Sequence, residues 1–263
     1  MRPASNLTAA RTSRGYSPDH ESLVGPTERV TRMKVANSYA RPGFGPRDRA
    51  LGMAGAWTAF VLNEAYAITS GLGYLSAASP SDPIADPYLS VMAVLVVLMA
   101  PFLVITMVAV HAYAAPRHKS FSLVALAFMI LLAGITSIVN FSLFTVARQA
   151  GPIPSLWLVP FVPSGWPPFA VALDFFAWDW FFALSMLFAA PAFWGATLQK
   201  AVRILMIVSA VFCLLGLVLL PISPPKATLI GIIGWGVAGP IVFLLLANLF
   251  TRTKVEPAPF PAA

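Results

Sequence analysis

The sequence predicts an all-α integral membrane protein, a bundle of six transmembrane helices with both termini cytoplasmic. Three observations carry that expectation. Of 263 residues, 58% are hydrophobic and only 10% charged, against roughly 25% charge in soluble domains. That leaves too little polar surface to cover a water-soluble globule. The apolar residues gather in six stretches, each near the ~20 residues a helix needs to cross a bilayer. The 17 Lys and Arg sit at or beyond the ends of those stretches, giving a net charge of +7 that reads as topology and excludes a nucleic-acid footprint.

Taken in order, residues 1–50 form a basic segment rich in Ser, Thr, Pro, Gly and Arg with no sustained apolar period, expected to be disordered and cytoplasmic. It lacks the apolar core of a secretory signal, and Asp19, Glu21, Glu28 and Asp48 argue against a mitochondrial presequence. Met33 is an alternative start to Met1. The transmembrane domain is expected over 51–250, with spans at 51–75, 88–114, 121–146, 168–193, 202–220 and 227–250, and a cytoplasmic tail over 251–263. No long alternation of apolar and polar residues is present, which excludes a transmembrane barrel. With the N-terminus inside, fifteen of the Lys and Arg lie on the inner side and only Arg148 and Lys226 on the outer. That asymmetry sets the orientation, and with no organelle signal it points to a cell inner membrane. The segment 148–167 interleaves five prolines with Trp157, Phe161 and Trp166. Such a composition cannot continue a helix, and it reads either as an interfacial cap over the bundle or as a loop with belt aromatics.

Ionisable residues within the spans are few, and each is costly, on the order of 2.5–3.5 kcal/mol for a charge at the bilayer centre. Counting at ~1.5 Å per residue places Glu64 and Asp179 near mid-membrane and Asp174 nearer the outer face. The first span carries the polar patch Asn63-Glu64-Ala65-Tyr66. The fourth reads Asp174-Phe175-Phe176-Ala177-Trp178-Asp179-Trp180, in which Asp174 and Trp178 share a face while Asp174 and Asp179 diverge by about 140°. The candidate substrate or proton site is therefore Glu64, Asp179, Asn63, Tyr66, Asp174 and Trp178, with Glu64 expected to share a proton with Asp179 across helices. Asn140 with Thr136 at i−4 is a neutral polar pair at the depth of Asp174, the kind that serves interhelical hydrogen bonding. In the last span Ala227, Gly231, Gly234 and Ala238 align along one side as a helix-packing seam, within the subunit or between copies of it.

Cofactors and metals are not expected. His111, at the inner end of the second span, has no second intramembrane imidazole to complete a haem site, and Cys213 is alone in an apolar run. Nucleophile-elbow, zinc-protease, P-loop and dinucleotide motifs are missing. Three readings of function follow. Two groups of three helices of opposite orientation, each opening with a mid-membrane carboxylate, give a small-molecule or proton-linked transporter. The seam and the lack of motifs give the alternative, a non-catalytic membrane subunit or assembly factor of a larger complex. The third is an intramembrane enzyme acting on a lipid-like substrate. The expected partners are the lipid bilayer and a homo-oligomer or membrane complex, without nucleic acid.

Overall fold

The computed structural model describes residues 43–79, 84–145 and 169–254, all within one compact unit, Ser38–Ala263. The expectations for the basic segment up to residue 42, for a cap at 148–167 and for the last nine residues of the tail lie outside the described residues. Those described are helical, with no strand among them.

Helix α1, Pro46–Ser76, begins five residues before the expected span. Pro46 suits the first helical position, where its missing N–H costs nothing. The Gly45 N–H donates to Asp48 Oδ2 at 2.9 Å, which closes the first turn. Helix α2, Tyr88–Tyr113, is followed by a 3-10 turn at Pro116–His118 that leads directly into α3, Lys119–Thr145. The Lys119 ammonium turns back onto the end of α2, donating to the carbonyl of Ala112 at 3.0 Å and to that of His111. A cation there satisfies orphaned carbonyls and opposes the helix dipole.

Helix α4 spans Phe169–Ala192 and is not uniform. An α-helical start, Phe169–Phe176, passes through a π turn, Ala177–Phe182, before the α-helix resumes at Ala183–Ala189. Gly195, at φ +118°, supplies the reversal into α5, Thr197–Leu219, a backbone angle that L side chains rarely adopt. Helix α6 likewise starts as Pro224–Ile232, widens into a π turn at Ile233–Ala238 and ends as Gly239–Arg252.

Each helix packs on the next, and α6 returns to α1, so the six close into a ring. Large apolar side chains point outward from it, among them Ile138 at 69% and Val218 at 66% exposed. Five helices are long and apolar enough to cross a membrane: Tyr88–Tyr113, Pro116–Thr145, Phe169–Ala192, Thr197–Leu219 and Lys226–Arg252. Helix α1 is long enough, at 31 residues, but is not among the five. Asn63 and Glu64 at its middle, with Gly, Thr and Trp around them, lower its apolar character.

The seam on α6 is used within the chain. A Cβ on Gly216 of α5 would come within 2.8 Å of the Gly231 nitrogen and 3.0 Å of the Ala227 carbonyl. One on Gly234 would meet the Ser209 carbonyl at 2.7 Å and the Cys213 nitrogen at 2.8 Å. Backbones this close exclude any side chain, the close approach that replaces a hydrophobic driving force between helices in lipid. Ser209 Oγ completes the contact by donating to the Gly234 carbonyl at 2.7 Å.

Candidate functional site

One cluster of polar residues lies toward the end where α1 finishes and α4 begins. Two i,i+4 pairs on neighbouring helices meet there. On α3, the Thr136 hydroxyl donates to Asp174 Oδ1 at 2.6 Å and accepts from Trp178 Nε1 at 3.1 Å. Asn140 Nδ2 bonds the Thr136 carbonyl at 2.9 Å, the Thr136 hydroxyl at 3.3 Å and Asp174 Oδ1 at 3.4 Å. Since residues four apart share a helix face, Thr136 with Asn140 and Asp174 with Trp178 form a cross-helix square. Both side-chain donors to the Asp174 carboxylate fall on its Oδ1. That arrangement stabilises a charge where lipid alone would not.

Beside this square lies a small cavity of about 30 Å³. Asp174 and Trp178 line it from α4, Asn63 and Tyr66 from α1, Met99 from α2 and Trp235 from α6. The lining residues lie about 8–20 Å inward from the helix ends at ~1.5 Å per residue. Since a water needs about 10–15 Å³ measured this way, the cavity has room for about two. Asn63 is 3% exposed and its Oδ1 has no hydrogen-bond partner. A buried acceptor left without a donor costs about 1–3 kcal/mol, so its presence on a residue that lines the cavity requires an explanation. The aromatic faces are close to one another: Trp178 and Trp235 centroids lie 5.5 Å apart, Tyr66 and Trp235 6.4 Å.

Asp179 does not line the cavity. It is 4% exposed, the Trp235 indole hydrogen-bonds its carboxylate, and Oδ1 has no partner. The carboxylate lies against Gly231, where a Cβ would approach Oδ1 to 2.7 Å. The expected proton-sharing pair of Glu64 and Asp179 is not built, because Asp179 is held by Trp235 and its remaining oxygen meets no other carboxyl. Glu64 is half-buried and does not line the cavity. It follows Asn63 by one residue, about 100° around α1, and Asn63 is the residue turned inward. The structure thus brings together Asn63, Tyr66, Asp174 and Trp178, and leaves Glu64 and Asp179 outside that group.

Trp235 and Thr136 were not among the candidate site residues read from the sequence. A mid-membrane indole N–H needs an acceptor, and Trp235 in its Gly-Trp-Gly setting was the available signal. Both π turns contribute to the site, with Trp178 and Asp179 in one and Trp235 in the other. The wider turn changes which side chains face the core, as such bulges do at many functional sites. Among the described residues no group of three or more His, Cys, Asp or Glu side chains could hold a metal ion. No protein-family model matches the chain, and comparison with curated proteins and with solved structures yields no match either.

Proposed function

We propose that this chain is a multi-pass carrier of the inner membrane, with all six helices spanning, both termini cytoplasmic, and a proton-linked carboxylate site at Asp174. The observation that carries the reading is the cavity lined by Asp174 and Asn63, an intramembrane acid facing water-sized space and not lipid. Its walls come from both halves of the ring, α1 and α2 on one side, α4 and α6 on the other, which is where carriers built from two halves place their sites. That α1 also spans is supported by its outward apolar face, with Val61, Ile68 and Leu72 exposed opposite the buried Asn63.

At about 30 Å³ the cavity is an order of magnitude below the 300–1,000 Å³ of organic-ligand sites. What sits there in this closed conformation is a proton, water or an ion. A transported solute enters only after the halves separate. None of the lining side chains is a Ser, Cys or His, which weighs against a nucleophilic enzyme at this cavity.

The test is charge movement after a pH jump applied to vesicles containing the protein, read by electrometry on a supported membrane. The wild type is expected to give a transient that Asp174→Asn abolishes. No transient from correctly inserted wild type overturns the carrier reading. It leaves the non-catalytic membrane subunit.

A further inference from the structure

We propose that a second copy of this chain docks on the outward face of α1, with Glu64 meeting its counterpart across a two-fold axis along the membrane normal. The inference goes beyond the carrier reading and shares with it only the spanning of α1. Of the three acids away from the helix ends, Asp174 and Asp179 each hold a side-chain donor from a neighbouring helix. Glu64 holds none. No described residue gives its carboxyl a hydrogen bond or an ion pair, and neither oxygen is shut inside the chain as Asn63 Oδ1 and Asp179 Oδ1 are. Glu64 leaves α1 about 18 Å from its Ser76 end and about 27 Å from its Pro46 end at ~1.5 Å per residue, well inside the hydrocarbon. Val61 and Ile68, at i−3 and i+4, and Trp57, at i−7, are exposed, as are Ala67 and Gly71 at i+3 and i+7. Those spacings share one face, so the acid stands in a stripe that no helix of its own chain covers. A carboxyl left against lipid is costly, and a partner removes that cost.

Two observations select a second copy as the partner. The first is the chemistry of the acid. Copies inserted in the same orientation and related by that axis bring each residue near it opposite itself at equal depth. The central polar group must then be its own complement. A protonated carboxyl is, with one O–H to donate and an oxygen to accept, whereas an ammonium only donates. The second observation is Gly71. A Cβ built there meets nothing of its own chain within 4 Å, while on Gly52, Gly55 and Gly73 of the same helix it would approach other side chains to 2.7, 2.8 and 2.6 Å. Those three are accounted for by packing within the chain. Gly71 is not, although glycine weakens a helix. With Ala67 four residues earlier it has the small-xxx-small spacing at which transmembrane helices approach closely. The small-residue seam of α6 is already occupied by α5, which leaves α1 for contact between copies.

The experiment is single-molecule photobleaching of the full chain, one dye per copy, in lipid vesicles over a range of protein-to-lipid ratios. The wild type is expected to pass from one bleaching step to two as density rises, and to stop at two. Glu64→Leu is expected to weaken dimerisation by about tenfold or more, the scale of a polar contact between helices in lipid. Gly71→Leu, which meets nothing within its own subunit, is expected to prevent it while leaving the Tm of the monomer unchanged. Glu64→Gln, whose amide also donates and accepts, is expected to dimerise as the wild type does. In a Cys213→Ala background, oxidation is expected to cross-link Ile68→Cys between copies but not Ile138→Cys on the outward face of α3. The proposal is overturned if the chain stays monomeric at every density, if Glu64→Leu or Gly71→Leu dimerises like the wild type, or if Ile138→Cys cross-links as readily as Ile68→Cys. Monomers whose Glu64→Cys thiol resists a membrane-impermeant maleimide overturn the interface and keep α1 in the membrane. Rapid labelling of that thiol ends the spanning reading as well. The carrier reading is decided separately by the pH-jump transient, which Glu64→Leu is expected to retain.

Discussion

Buried polar groups occur at both ends of the ring, and the two ends treat them oppositely. At the end where α2 finishes, Tyr113 is 1% exposed and its hydroxyl accepts from Gln199 Nε2 at 2.6 Å, while Gln199 Oε1 accepts from the Ala196 N–H at 3.1 Å. Phe44 meets Tyr113 edge-on at 5.6 Å and stacks on Phe250 at 5.8 Å, and Phe193 stacks on Tyr113 at 5.8 Å. Polar atoms there are enclosed by rings and matched to partners. At the other end Asp174, Thr136, Asn140 and Trp178 are matched to one another, while the buried Asn63 Oδ1 has no donor to accept from. A matched polar group holds helices in register. An unmatched one costs stability and calls for an explanation.

The comparison can be broken in several ways, the largest first. Tyr113→Ala, which removes a fully enclosed ring, is expected to cost about 3–5 kcal/mol, read as a fall in Tm in detergent. The pH-jump transient of the fraction that still folds is expected to persist. A small effect would mean that the aromatic cluster is loosely packed and the contrast between the ends is false. Gly234→Val drives a side chain into the Ser209 carbonyl and the Cys213 backbone, and the expected loss is about 1–3 kcal/mol. The α5–α6 seam would then be structural, with the cavity unaffected as judged by the pH-jump transient of the folded fraction.

Thr136→Val leaves the Trp178 indole without its acceptor and Asp174 without its closest donor. The expected cost is about 1–3 kcal/mol, with most of it restored in Thr136→Ser. If valine is tolerated and the transient is unchanged, the cross-helix square does not position the acid. The smallest effect sharpens the contrast most. Asn63→Leu is expected to leave Tm unchanged or raise it by up to about 1 kcal/mol of stability, because an unpaired polar group is replaced by an apolar one of similar size. Gln199→Leu, at the matched end, is expected to lower stability by about 1–3 kcal/mol through loss of its hydrogen bonds to the Tyr113 hydroxyl and the Ala196 N–H. Equal losses for the two would show that Asn63 Oδ1 holds a donor.

Much of the architecture was legible from composition alone. Low charge and long apolar runs require that each segment satisfy its own backbone, and helices do so without reference to their neighbours. The aligned small residues Gly231 and Gly234 likewise announced a close approach, since absence of a side chain has few other uses there. Asn63, Tyr66, Asp174 and Trp178 stood out because polar residues in lipid are expensive.

Which of them meet was decided only by the tertiary structure. Depth along a helix can be counted from its ends, and that counting favoured Glu64 with Asp179. Rotation about the axis cannot be counted in the same way, because in lipid the outward face of a helix is as apolar as the inward one. The contrast that reveals a buried face in a soluble helix is therefore weak here. Two π turns then shifted the angular register of α4 and α6, turning Trp178 and Asp179 inward together and bringing Trp235 to the cavity lining. Helix number and composition belong to the chain one segment at a time. The site belongs to the angles at which six segments close into a ring.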